Sequence, residues 1–214
     1  MSQLTQLSSP VALTPQRSRL AKPLWWLMLV LCAAVVAYGT TYFIATPRDE
    51  HFARYILPLR LHIAGGMGAL LAGPWQFSEK LRVRALNLHR WLGRFYLLEV
   101  GLGSIAGFAM AVVSEEGLAT HLGFGILAVL WFFTGLRAYR KIRAGDIDAH
   151  REWMIRNFAL SLAAVTLRFY MPLMLGAMHW SFRPAYIAVS WLCWIPNLLV
   201  AQWMVARRRR PAVA

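Results

Sequence analysis

The chain has 214 residues, 58% of them apolar and only 15% charged, with a formal net charge of +14. A typical soluble domain is roughly 45–50% apolar and about 25% charged, so a disordered chain is excluded. A nucleic-acid binder is excluded as well, because the basic residues punctuate long apolar runs instead of forming a face on a soluble fold.

In chain order, residues 1–23 are polar and rich in Ser, Thr, Gln and Pro, and read as a cytoplasmic tail. Six runs follow that are long and apolar enough to span a bilayer: Leu24–Ala45, Tyr55–Phe77, Trp91–Val113, Leu118–Tyr139, Trp153–Leu175 and Ala185–Ala206. About 20 apolar residues are needed, since about 30 Å of hydrocarbon is crossed at 1.5 Å per residue. Each run must satisfy its own backbone in lipid, and none has the alternation of a barrel strand, so all six are expected to be helices. The first run exceeds the 7–15 apolar residues of a signal peptide and is expected to be retained. Residues 207–214 form a basic cytoplasmic tail after a single transmembrane domain, 24–206. Cys32 and Cys193 lie inside apolar runs and form no disulfide framework.

Charge placement sets the orientation. With the N-terminus inside, eighteen of the 23 Lys and Arg residues fall in inner segments. Four fall outside (Arg48, Arg54, Arg60 and Arg183), and Arg168 lies within the fifth run. The positive-inside rule then puts both termini in the cytoplasm. Tryptophans 25, 26, 75, 91, 153 and 203 sit near run ends, as an aromatic belt requires.

Two stretches repeat a pattern. HIAGGMGALLAGPW from His62 is followed by NLHRWLGRFYLL, and HLGFGILAVLWFF from His121 is followed by DAHREWMIRNFAL. Each copy places a His near the outer end of one helix, glycines after it, and a second His-Arg at the inner start of the next. The spacing is 27 residues in one copy (62 to 89) and 29 in the other (121 to 150). Parallel hairpins of this kind pack about a pseudo-twofold axis along the membrane normal. The expected fold is therefore an all-α membrane protein of six transmembrane helices. Helices two to five form a pseudo-twofold four-helix bundle that pairs His62 with His121 near the outer face and His89 with His150 near the inner.

Ionisable residues in a membrane core are functional candidates by default. Two opposed imidazoles suit axial ligation of haem iron, and each pair offers one. Arg90 and Arg151 follow the inner histidines, while Arg60 and Arg168 lie at the depth of His62; all four are candidates for haem propionates. The bland readings stay open. Interfacial His-Arg-Trp clusters also bind lipid phosphates, and histidines and glycines also serve helix–helix contacts. Zinc or copper assisted by Glu115 and Glu116 is a further alternative. Glu99 in the third run is within reach of an ion pair with Arg168, Pro196 and Asn197 read as a kink and a packing contact, and His51 and His179 have no role. No phosphate loop, zinc-protease motif or nucleophile elbow is present in the sequence.

The stretches LHIAGGMGALLAGPWQF, LHRWLGRFY and AHREWMIRNFALSLAAVTLRFY resemble a bacterial family of predicted membrane proteins known as domain of unknown function twenty-three-oh-six. That resemblance covers about residues 55 to 175 and implies a multi-helix membrane protein without an established activity. The histidine layout is similar to that of the six-helix, two-haem cytochrome b five-six-one family. There the second and fourth helices supply one pair and the third and fifth the other, which by position are His62/His121 and His89/His150. This likeness implies haem b, one or two per chain, and transmembrane electron transfer, a possible membrane oxidoreductase activity. The donor and acceptor are unidentified; a quinol, a small soluble reductant and ferric iron all remain open. The contrasting expectation is a cofactor-free scaffold, assembly factor or small-solute carrier.

Overall fold

A computed structural model describes residues 21–44 and 50–209. The tail through residue 20, the loop residues 45–49 with Arg48, and residues 210–214 lie outside the described residues, as does the side chain of His51.

Six helical spans long and apolar enough to cross a membrane are present: Lys22–Ile44, Ile56–Gln76, Leu86–Val112, Leu118–Arg143, Ile147–Ala177 and Phe182–Arg209. The helices are α1 (Ala21–Ile44), α2 (Glu50–Arg54), α3 (Ile56–Gln76), α4 (Glu79–Arg84), α5 (Leu86–Val112), α6 (Leu118–Arg143), α7 (Ile147–Ser161), α8 (Ala163–Pro172), α9 (Phe182–Leu192) and α10 (Ile195–Arg209), with a π-helical turn at Leu173–Ala177. Short α4 starts at Ser78, whose hydroxyl accepts the Leu81 N–H at 3.3 Å. Asp146 caps α7 by accepting the Ala149 N–H at 3.0 Å. That bond and the Lys141 ammonium hold the Asp146 carboxyl below its usual range.

Helices α3, α5, α6 and α7 form a ring in which each packs on the next and α7 closes on α3. The first span packs on α3 and α8, and the sixth on α6 and α7. Glycines set the closest approach. A Cβ at Gly65 would stand 2.5 Å from the Gly103 Cα, so α3 and α5 touch backbone to backbone. Small residues do this where lipid tails give apolar side chains no preference for each other.

The centre of the ring is polar, buried and hydrogen-bonded. Tyr96 donates its hydroxyl to Asn157 Oδ1 at 2.6 Å, and the Trp131 indole N–H donates to Ser161 Oγ at 2.8 Å. The Asn157 amide reaches the Trp131 carbonyl at 2.7 Å and Thr134 Oγ1 at 2.8 Å. Tyr96 and Asn157 are 61 residues apart, the same offset as His89 and His150. Equivalent positions of the two copies therefore meet at the centre, as a pseudo-twofold axis demands.

Two helix starts differ from the sequence expectation. The third span begins at Leu86 and the fifth at Ile147, not at Trp91 and Trp153. A helix satisfies its own backbone in water as in lipid, so it continues past the apolar run. At 27 residues and 1.5 Å each, α5 is about 40 Å long, more than the hydrocarbon core. His89 and His150 thus belong to first turns and not to loops.

Candidate functional site

His62, in the second turn of α3, faces α5. Its Nδ1–H donates to the Gly103 carbonyl at 2.8 Å. The ring fits there because residue 107 has no side chain: a Cβ on Gly107 would lie 2.6 Å from His62 Nδ1. Bonding Nδ1 to an acceptor-only carbonyl fixes the tautomer and leaves Nε2 with its lone pair free. Histidines that bind metals are held in this way by their outer-shell partners.

His150, in the first turn of α7, repeats the arrangement with Nδ1 2.9 Å from the Ala138 carbonyl of α6. His89 lies within electrostatic reach of His150, and its buried Nδ1 has no hydrogen-bond partner. His121 is half-buried near the start of α6 and its side chain makes no hydrogen bond among the described residues. α3 and α6 lie across the diagonal of the ring, as do α5 and α7. The helices of each pair therefore face one another through the bundle interior. The levels are well separated: Gly107, beside His62, is 18 residues from His89 along α5, or about 27 Å.

One histidine of each pair is anchored and the other is not, and for the outer pair the repeat explains why. At the 61-residue offset, Gly103 corresponds to Ala164 and Gly107 to Arg168. Where the first copy clears room for an imidazole, the second places a guanidinium, and Arg168 Nη1 itself donates to the Ala164 carbonyl at 2.8 Å. The carbonyl that would mirror Gly103 is thus taken.

Arg168 lies within electrostatic reach of His62 and over the Tyr38 ring, at 5.5 Å from its centroid; its Nε is buried without a partner. Glu99 and Arg168 form no ion pair among the described residues, because Glu99 points between α1 and α3 while Arg168 is held by Tyr38 and Ala164. Arg60 is tied through Nε to the Tyr42 carbonyl at 3.2 Å.

At the inner end Arg90 is exposed, and Arg151 pairs with Asp148 at 3.3 Å. Arg82 joins this end; burial and the charges of Arg151 and Arg208 lower its pKa from the ordinary guanidinium value. Arg82 was not singled out from the sequence, because a basic inner loop is the ordinary consequence of topology. The Tyr96–Asn157–Ser161–Trp131 centre was also missed. Its available signal was Asn157, a polar side chain in an apolar run.

No group of three or more His, Cys, Asp or Glu side chains gathers among the described residues, so each pair is a two-nitrogen donor set. A haem would ask for two axial imidazoles at a level; among the described residues no contact joins His62 to His121.

Neither a curated protein nor a solved structure matches the chain. The family model described as "Predicted membrane protein (DUF2306)" matches residues 59–205, a stretch that contains all four paired histidines, and the chain belongs to that family.

Proposed function

We propose that the protein is a b-type haem protein of the bacterial inner membrane, with both termini cytoplasmic, that passes electrons between carriers on the two faces of the bilayer. The observation that carries this reading is the anchoring of one imidazole per level through Nδ1, at His62 on Gly103 and at His150 on Ala138. With Nδ1 bonded to a carbonyl, each keeps Nε2 as its nitrogen for a ligand. His62 and His121 would hold the outer haem, with Arg60 and Arg168 for its propionates. His89 and His150 would hold the inner, with Arg90 and Arg151. Haem supplies a one-electron couple at each level. The protein's share is to fix the imidazoles, neutralise the propionates and keep water out of the region between the levels, where Tyr96, Leu70 and Leu160 are fully buried.

A second reading is favoured at the inner level by the unpartnered His89 Nδ1 among Arg82, Arg90 and His150. There the histidines would bind a lipid phosphate and not haem.

The test is an optical spectrum of the detergent-purified chain, oxidised and then dithionite-reduced, with haem supplied during expression. The expected result is sharp reduced α and Soret bands that disappear in His62→Ala and His121→Ala. A stoichiometry of two haems assigns the inner pair as well, and a stoichiometry of one leaves that pair to lipid. A folded, monodisperse sample without a Soret band overturns electron transfer in favour of a cofactor-free scaffold or carrier.

A further inference from the structure

Glu99 stands at the midpoint of α5, 13 residues from either end, or about 20 Å, which places it near the centre of the bilayer. Its side chain lies over Gly68 of α3, where a Cβ would stand 2.8 Å from Oε2. It makes no ion pair or hydrogen bond among the described residues. The carboxyl opens into a cavity of about 510 Å³ between α1, α3 and α5, walled by Phe43, Met67, Leu71 and Phe95. The other polar side chain there, Thr40, already donates to the Ala37 carbonyl at 2.7 Å. The groove is thus apolar, open toward the lipid, and contains a single unanswered acceptor.

We propose that this groove binds the headgroup of a lipophilic quinol, with the Glu99 carboxyl accepting a hydrogen bond from a phenolic O–H. The depth selects the occupant. Phospholipid phosphates and glycerol esters lie at the interfaces, about 15 Å from mid-bilayer. A molecule at this level must be uncharged and soluble in hydrocarbon, yet must donate a hydrogen bond, because an unpaired buried acceptor is costly. An alkyl-substituted quinol has that combination. The groove also shares the α3–α5 seam with His62: Glu99 is one turn along α5 from Gly103, whose carbonyl holds the His62 ring. The inference deepens the electron-transfer reading by naming the carrier class. It rests on that reading for the fate of the electrons, though not for binding.

The experiment therefore reads binding alone, on the full chain in lipid nanodiscs with and without haem. Dicyclohexylcarbodiimide, a hydrophobic reagent for carboxyl groups, is expected to modify Glu99, as located by mass spectrometry. Under anaerobic reducing conditions, saturating decylubiquinol is expected to slow that modification about fivefold or more, while decylbenzene, with the same tail and no hydroxyls, does not. Leu71→Trp, which fills the groove away from the carboxyl, is expected to remove the protection with the protein still monodisperse. Failure of the reagent to reach Glu99, an unchanged rate with decylubiquinol, or equal protection by decylbenzene each overturns the proposal. A missing Soret band leaves these rates as they are, so the two readings fail separately.

Discussion

Gly107 governs where the His62 ring can sit. The obstacle to a side chain at 107 is the imidazole itself, at 2.6 Å from the added Cβ. Gly107→Ala therefore displaces the ring from the Gly103 carbonyl and leaves the helix contact standing. Losing an outer-shell partner of a ligating histidine typically costs about 10–100-fold in affinity. We expect Gly107→Ala to retain haem about 10-fold less well than the native chain, measured as haem per protein after detergent dilution, with an unchanged elution profile. Gly101→Ala is the control, because nothing lies within 4 Å of its added Cβ, and it is expected to bind as the native protein does. Equal retention by both variants would show that the ring anchor is irrelevant to binding. Gly65 differs in kind. There the added Cβ meets the backbone of Gly103 at 2.5 Å, and neither helix can turn aside, so Gly65→Ala should separate α3 from α5 and lose the folded species. The glycines were legible as a small-residue face; which of them serves a ring and which a backbone depends on facing residues that a sequence does not supply.

The fifth and sixth spans are not continuous α-helices but are each interrupted. Pro196 was the expected kink, and the sixth span breaks just before it, at Cys193–Trp194; in the fifth span a π-helical turn at Leu173–Ala177 follows Pro172. A second interruption of that span, at Leu162, has no proline and no glycine beside it. It lies next to the break at Cys193–Trp194, and one side chain links the two. Asn197 donates to the carbonyls of Ala159 at 3.3 Å and Cys193 at 3.0 Å and to Thr166 Oγ1 at 3.2 Å, and Thr166 in turn donates to the Cys193 carbonyl. Carbonyls freed by a break in lipid need such partners, so the packing role expected of Asn197 is a staple for two broken helices. Bonds of this class average about 0.6 kcal/mol each in a membrane protein. Asn197→Ala takes the two N–H donors of one amide away from these three acceptors and should lower stability by roughly 1–2 kcal/mol, read from thermal unfolding in detergent. Asn197→Gln, which keeps the amide on a longer stem, should recover part of the loss. A melting curve identical to that of the native chain would mean that water or neighbouring hydroxyls replace the staple at no cost. The six spans themselves were legible because each must carry its own apolar run. The break at Cys193–Trp194 was legible in Pro196, which lacks the N–H to continue the helix; the one at Leu162 was not, since it is stabilised from a neighbouring element.

At the scale of the whole molecule, the repeat was legible in four histidines, and the structure adds the contact that gives it an axis, Tyr96 on Asn157 at 2.6 Å. The same repeat is asymmetric where it matters for chemistry: the second copy exchanges the ring-accommodating glycine for Arg168. Spacing alone suggested equal pairs, because the exchange falls in a stretch where only flanking residues such as Phe108 and Phe169 still match. Orientation sets which level faces which compartment, and here charge and packing agree. The end of the bundle that carries His89 and His150 also gathers Arg82, Arg151 and Arg208, and there Arg209 bonds the Glu152 carboxylate through Nε at 2.6 Å, tying α10 to α7. Moving this many guanidiniums across a bilayer is far costlier than moving Arg54, Arg60 and Arg183. We therefore expect alkaline phosphatase fused after Gly117, between α5 and α6, to be active, and the same enzyme fused after Gly145, between α6 and α7, to be inactive. A fluorescent protein fused at the C-terminus should be bright, as it is only when it folds in the cytoplasm. The opposite pattern would invert the protein in the membrane, exchange the compartments served by His62 and His150, and require a counterweight to the basic end that none of the described residues provides.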